Sequence, residues 1–489
     1  MTALKAGNLD QLSGDVTLPR YNRDDVSVGI LHFGVGGFHR AHQAMYLDAL
    51  MSEGKAMDFG ICGVGVMPGD RRMQEVLKAQ DGLYTLVLKH PDGRWEAQVI
   101  GSIVDYLYAP DDPEAVIERL ANEATRIVSL TVTEGGYNFH HVTGEFNFET
   151  PEVLHDLDAS ATPKTFFGLI VEALARRREK GLAPFTIMSC DNIQGNGDVA
   201  KESFVAFARR RDPALGDWIE REVRFPNSMV DRITPVTTDD DRAEIKKRFD
   251  IEDGWPVVCE PFTQWVLEDH FNQGRPAYDE VGVQVVDDVM PYELMKLRLL
   301  NASHQALTYF GYLDGYRYAH EVCQDELYAD FLLNYMIEEG TPTLSPVPGV
   351  DLDDYRRTLI ERFANPEIRD TLARLCAESS DRIPKWLLPV IREQLERDGE
   401  IKRSAAVVAS WARYAEGVDE QGEPIEIVDR MKDELHEIAR RNRDNPLAFI
   451  ENREVFGDLV DNERFVEAYT QALTRLHQQG ARATVEAVR

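Results

Sequence analysis

The sequence predicts an α/β unit followed by an all-helical one, and three observations carry that prediction. Strand-length apolar runs alternate with helical periods as far as about residue 288. Two glycine clusters, at residues 34–37 and 63–69, each follow such a run. Beyond Met290 only helical periods continue to the C-terminus. The division falls between residues 287 and 288, giving an α/β unit over 1–287 and a helical unit over 288–489.

In chain order, strands are expected at 26–33, 59–66, 83–89, 98–103, 127–133, 185–190 and 257–259. Each is a short run rich in Val, Ile, Leu and Phe. Helices are expected among them at 41–52, 113–122 and 164–180. Such alternation builds a mostly parallel sheet covered by helices. The later helices are 325–339, 352–363, 368–377, 387–398, 405–416, 427–441 and 462–479. A proline-bearing loop over 341–350 joins two of them. A ligand site is expected in a cleft between the two units.

Bulk properties exclude several classes. A formal charge of −31 with pI about 4.8 disfavours nucleic acid and anionic lipid as partners. The acidity fits a salt-adapted host or an ordinary acidic enzyme. No charge-free apolar run of about 18 residues exists to span a membrane, and residues 1–14 lack a signal-peptide core. Five cysteines are scattered with no CxxC pair, which points to reducing cytosol rather than to a disulfide frame or zinc knuckle.

The first strand ends in Gly34-Val-Gly-Gly-Phe-His39 and is expected to run directly into a helix over 40–52. Glycines there permit a tight bend and close backbone approach by a pyrophosphate. His39 stands where GxGxxG has its last glycine, so the strand–turn–helix context does most of the work. A plain tight turn is the alternative. On the first reading the unit is Rossmann-like, and Phe33, Gly34, Val35, Gly36, Gly37, Phe38, His39 and Arg40 form the cofactor turn. The second cluster, Gly63-Val-Gly-Val-Met-Pro-Gly69, ends the second strand. Asp70 after it would accept from the adenosine ribose hydroxyls, favouring NAD over NADP; its alternative is to cap the helix beginning near Arg71. His39 and His42 lack a third ligand at motif spacing, so no metal is assigned.

Residues 290–313, MPYELMKLRLLNASHQALTYFGYL, read as a helix buried on most sides. Set into it are Lys296, Asn301 and His304. At about 100° per residue Asn301 lies roughly 140° round from Lys296 and His304 about 80°. Three polar groups thus share one broad sector, and each needs a partner when buried. A lysine on a helix is commonly a solvated surface group and a core histidine commonly a structural one; the stripe of other charges here is only Glu293 and Arg298.

Five blocks then occur in order: Gly34-Val-Gly-Gly-Phe-His-Arg-Ala-His42, Thr131-Val-Thr-Glu-Gly-Gly-Tyr137, Met188-Ser-Cys-Asp-Asn192, Met229-Val-Asp-Arg-Ile-Thr-Pro235 and Lys296-xxxx-Asn301-xx-His304. Together they make the chain, over essentially its whole length, resemble the long-chain polyol dehydrogenase family. The resemblance implies a zinc-independent, NAD-dependent interconversion of D-mannitol and D-fructose. It implies Lys296 as general base, Asn192 and Asn301 as oxyanion donors, and His304 as the group that orients substrate. Asp231, Arg374 and Arg382 are the implied substrate-binding residues, Arg382 standing where a lysine is usual.

The chemistry suits those residue types. An alkoxide developing without a metal needs neutral donors, and two carboxamide NH₂ groups supply them. Lysine is a poor base at about 10.4, but burial and a nearby positive charge would lower it. Glu293, one turn earlier, would relay the proton or be a solvated carboxylate. A polyol offers many hydroxyls and no charge, so recognition needs several fixed hydrogen-bonding side chains; the alternative for Asp231, Arg374 and Arg382 is ordinary ion pairing. The rivals are a sister reduction of an acidic sugar such as fructuronate and, more remotely, a non-catalytic NAD-binding sensor. Segments 137–145 and 374–386 are expected to separate mannitol from fructuronate. A monomer or small homo-oligomer is expected.

Overall fold

The computed structural model describes residues 2–12, 14–139 and 144–489. The chain forms two compact units, Met1–Val289 and Met290–Arg489.

The first unit is built on five parallel strands, ordered Ile103–Tyr108, Gly60–Gly65, Val28–Phe33, Ile127–Leu130, Thr186–Ser189. In chain sense this is third, second, first, fourth, fifth, the doubly wound order whose direction reverses beside the first strand. The strands are near-continuous apolar runs because both faces are covered. Leu31 and Phe33 enter a core with Val116, Ile117, Leu120 and Phe167, whereas Ile30 faces Leu47, Leu50, Met73 and Leu77. That alternation is the period of two along a strand. Each such side chain contributes about 1.5–3 kcal/mol on full burial.

The expected strand 98–103 is two strands in two sheets. Trp95–Ile100 pairs antiparallel with Tyr84–Lys89, and Ile103–Tyr108 joins the parallel sheet. The chain changes sheet at Gly101-Ser102, where the Gly101 N–H donates to Asp48 (2.8 Å) and the Ser102 hydroxyl to the Ala44 carbonyl (2.7 Å). The apolar run continues through that break, so periodicity does not reveal it. A three-stranded sheet of Ser228–Asp231, Gln264–Glu268 and Gln284–Val286 was likewise not anticipated, nor were helices Asn196–Arg211, Pro213–Glu222 and Asp239–Phe249. The last carries a legible start signal, a capping box of Thr238 and Asp241.

The second unit is helical around Ala302–Asp314, which is buried from Ala302 to Gly311. It packs on Leu372–Cys376, Lys402–Tyr414 and Glu463–Val488. The helix expected over 290–313 is interrupted: Met290–Met295 is α-helical, Lys296–Asn301 is a π-helix, and Ala302–Asp314 is α-helical again. A second π-helix, Tyr335–Gly340, packs against the first. The Tyr335 hydroxyl donates to the Arg298 carbonyl (3.0 Å). A Cβ on Gly340 would come within 2.8 Å of Leu299 Cδ2, so glycine permits the close approach. The last helix kinks at Gly480 (φ 86°, ψ 179°), one residue past its expected end. Among the described residues no helix is long and apolar enough to cross a membrane.

Candidate active site

The carboxyl ends of the first, fourth and fifth strands bring three of the sequence blocks together. Gly34 leaves the first strand at φ 88°, and a Cβ there would lie 2.1 Å from the Thr131 carbonyl oxygen. Only glycine fits. At Gly36 and Gly37 the nearest atoms to an added Cβ are Gly34 O at 3.8 Å and Thr234 Cγ2 at 3.6 Å. The backbone there is open rather than packed, which is what a phosphate needs.

Beneath the turn lies a buried polar network. The Thr131 hydroxyl donates to Gly34 O (2.7 Å), so it accepts from His32 Nε2 (2.9 Å). His32 Nδ1 then accepts from the Ser129 hydroxyl (2.7 Å). The His39 ring stacks on His32 with centroids 3.4 Å apart. Burial pushes His39 down to about 3, so it is neutral. His39 Nδ1 meets Gln43 Oε1, Gln43 Nε2 meets His42 Nδ1, and His42 Nε2 donates to the Gln264 carbonyl. Both His42 nitrogens are thereby engaged in hydrogen bonds.

The helix expected over 40–52 breaks at His42 (φ −130°, ψ −94°) into Gly37–Ala41 and Gln43–Ser52. The guanidinium of Arg232 donates to the freed Ala41 carbonyl (2.7 Å) and to the Glu260 carbonyl (3.1 Å). Four of the expected cofactor residues, Phe33, Val35, His39 and Arg40, are buried, and the side chains of Phe33 and Arg40 turn into the protein. Phe33 is wholly buried against Phe166. Arg40, 2% exposed, donates to the Trp255 and Gly36 carbonyls between the Tyr84 and Trp255 rings. Their side chains shape the turn from within. Val35 is buried, and Phe38 stacks on His42. Asp70 opens the helix Asp70–Ala79, and its Oδ2 accepts from Val66 N and Met67 N, both at 2.9 Å. One carboxylate oxygen thus closes the turn after the second strand.

Asn192 is exposed just past the fifth strand. Its neighbour Asp191 is buried: Oδ1 accepts from Thr133 N (2.8 Å), and Oδ2 from Val132 N (3.1 Å) and the Tyr137 hydroxyl (2.7 Å). Burial raises Asp191 above the usual carboxylate range, with those three donors opposing it. Thr133 lies at φ 66°, ψ 166°. That region belongs to glycine and costs another residue about 1–3 kcal/mol. Asn196, fully buried, donates to the Asp191 carbonyl (3.0 Å) and the Ser228 carbonyl (2.8 Å). This ties the Asn192 turn to the strand Ser228–Asp231, whose last residue, Asp231, is buried opposite Gln264.

In the helical unit Lys296 and Asn301 open and close one π turn. Backbone bonding in such a turn runs from i to i+5, so residues 296 and 301 stand one above the other. The 100° step used for a regular helix does not hold across it, and the two side chains lie on a closer common face than a helical wheel gives. Lys296, Asn301 and His304 are all buried, at 7%, 5% and 9% exposure, and among the described residues Asn301 Oδ1 has no hydrogen-bond partner. The His304 ring packs 4.3 Å from Phe363. Glu293 is buried too, not solvated. Arg374 is exposed and held bidentately by Asp370 (2.7 and 2.5 Å). Arg382 donates to the Arg374 and Leu375 carbonyls (3.2 and 3.1 Å), closing the short helix that carries Arg374. Of segment 137–145, residues 140–143 lie outside the described residues.

Sequence reasoning assigned no role to His32, Thr131, Tyr137, Asp191, Asn196 or Arg232. The available signals were that Thr131, Tyr137, Asp191 and Arg232 lie inside the sequence blocks, and that Asp191 is a carboxylate directly after a buried strand.

Strand order and an open glycine turn define a dinucleotide-binding α/β protein joined to a helical unit. The chain matches the family descriptions "Mannitol dehydrogenase Rossmann domain" over residues 28–280 and "Mannitol dehydrogenase C-terminal domain" over 288–477. It belongs to the mannitol dehydrogenase family. It is 47% identical to a mannitol 2-dehydrogenase of Phaeosphaeria nodorum, covering 99% of this chain and 85% of that one. Among solved structures it resembles Pseudomonas fluorescens mannitol 2-dehydrogenase in ternary complex with NAD and D-mannitol, at 45% identity, TM-score 0.88 and 99% of both chains. A substrate-free D-sorbitol dehydrogenase matches at 36% identity and TM-score 0.93, covering 99% of this chain and 100% of that one.

Proposed function

We propose that the protein is an NAD-dependent dehydrogenase that oxidises D-mannitol to D-fructose. The observation that carries this reading is its likeness over almost the whole chain to the mannitol 2-dehydrogenase structure holding NAD and D-mannitol. NAD supplies the hydride acceptor for the carbinol carbon. The open backbone at Gly36 and Gly37 fits its pyrophosphate. The Asp70 oxygen not bonded to the turn would accept from a ribose hydroxyl.

Lys296 removes the hydroxyl proton, and the carboxamide NH₂ groups of Asn192 and Asn301 donate to the oxygen as it gains charge. His304 orients the reacting hydroxyl. Asp231 and Arg374 hydrogen-bond the remaining hydroxyls; Arg382 acts by holding the helix that carries Arg374. In support, Lys296 and Asn301 share one π turn and are buried, and π turns recur at functional sites. With neutral donors at the alkoxide no zinc is required. Five buried, unpaired cysteines fit a reducing cytoplasm, and the reading is completed by a monomer or small homo-oligomer.

The test is NAD⁺ reduction with mannitol, arabinitol and sorbitol, and NADH oxidation with fructose and fructuronate. Mannitol and fructose should have the highest kcat/KM. A preference for fructuronate would move the protein to the hexuronate branch, with Arg374 and Arg382 as carboxylate partners. A preference for sorbitol would align it with the D-sorbitol dehydrogenase it also resembles.

A further inference from the structure

We propose that Asp191 is a positioning residue for hydride transfer, holding residues 132–137 and the Asn192 turn in one fixed arrangement at the sheet's carboxyl edge. The inference rests on the dehydrogenase reading above and deepens it.

In a doubly wound sheet the first strand's turn takes the pyrophosphate, and the fourth and fifth strands belong to the other mononucleotide half. Here those strands end at Leu130 and Ser189, in register. The chain leaves Leu130 through Thr131, whose hydroxyl fixes the Gly34 carbonyl. Two residues on, Thr133 is exposed and left-handed at φ 66°. A strained residue persists only where its surroundings over-determine it.

Asp191 supplies that determination. Its two oxygens take the amides of Val132 and Thr133, and its Oδ2 also takes the Tyr137 hydroxyl, which is itself 2.6 Å from the Ser189 hydroxyl. The Asp191 carbonyl is in turn held by Asn196 (3.0 Å) and the Ile193 amide (2.9 Å). Side chain and main chain of one residue therefore couple the strained loop to the turn bearing Asn192. A carboxylate is the side chain that suits three converging donors, since it accepts at both oxygens and donates at neither. An amide accepts at one oxygen only and brings N–H groups against the donors.

The experiment compares wild type, Asp191→Asn and Tyr137→Phe by kcat and KM for mannitol, the pH–rate profile, NAD Kd and thermal melting. For Asp191→Asn kcat should fall roughly 10²-fold, the scale of an ångström of misplacement at a reacting centre. NAD Kd should stay within about threefold of wild type, and the profile should keep the wild-type ionisation because Lys296 is untouched. Tyr137→Phe keeps the carboxylate and should show a smaller loss of kcat in the same direction, which serves if Asp191→Asn does not fold. Wild-type kcat in both folded variants would overturn the positioning role while leaving the dehydrogenase reading intact. Parallel loss of kcat, NAD binding and melting temperature in Tyr137→Phe would reduce Asp191 to a structural group. A wild type that turns over no polyol overturns both readings.

Discussion

Lys296, Asn301 and His304 are three buried polar residues in an apolar helix, a placement that costs stability unless each is hydrogen-bonded. Among the described residues Asn301 Oδ1 has no hydrogen-bond partner, so this side chain is not fixed at its oxygen. Replacing Lys296 with Ala should lower mannitol oxidation by roughly 10²–10⁴-fold near neutral pH. The rate–pH curve should lose an ionisation that wild type shows, and NAD affinity should hold. An active variant with an unchanged profile would place the base elsewhere. Asp70 makes a second prediction at this scale. One of its oxygens is committed to Val66 N and Met67 N, so Asp70→Asn should keep much of the turn while losing repulsion of a 2′-phosphate. The ratio of kcat/KM for NAD over NADP should fall; a ratio near one in wild type, unmoved by the substitution, would remove Asp70 from cofactor choice.

At the scale of elements, the two π-helices are the feature that matters most. Lys296–Asn301 and Tyr335–Gly340 sustain each other through the Tyr335 hydroxyl on Arg298 O and through the space left at Gly340. A π turn is costly in isolation and needs such neighbours. Gly340→Ala places a Cβ 2.8 Å from Leu299 Cδ2 and 3.3 Å from Arg298 O. It should destabilise the unit by about 1–3 kcal/mol and reduce kcat, because the insult falls on the turn bearing Lys296. The glycine turn has a parallel test. Gly34→Ala meets the Thr131 carbonyl at 2.1 Å with φ 88°, so NAD affinity should collapse, measured by titration of the folded variant. Element positions were legible where caps and periods coincide: Leu352–Phe363 was anticipated to the residue. The break at His42 and the π turns were not, since both depend on what packs against them.

At the scale of the molecule, charge and pH act on stability. Glu339 is wholly buried where it accepts from the amides of Arg403 and Ser404 (2.8 Å each), capping the helix Lys402–Tyr414. Burial raises it from 4.5 to about 7. Between those values the unfolded chain has released the proton and the folded chain keeps it, so stability falls as pH rises through the window. Denaturation of wild type and Glu339→Gln from about pH 5 to pH 8 should show the difference shrinking by up to roughly 3 kcal/mol. A constant difference would mean Glu339 ionises normally. The formal charge of −31 adds self-repulsion across the surface.

Sequence alone determined the α/β-then-helical order, the glycine turn, and the five blocks that mark the family, because these live in local composition and spacing. Strand runs buried on both faces are apolar whatever their neighbours, and a glycine needed at positive φ is visible as a glycine. Tertiary structure alone decided that Gly101-Ser102 sends consecutive strands into different sheets, and that Arg40 and Phe33 turn inward. It also decided that Lys296 and Asn301 share a π turn, and that Asp191 gathers Val132, Thr133 and Tyr137. Each of these is a hydrogen bond or a close approach between residues distant in sequence or on separate elements. Their energies depend on a partner's position, which no local period encodes.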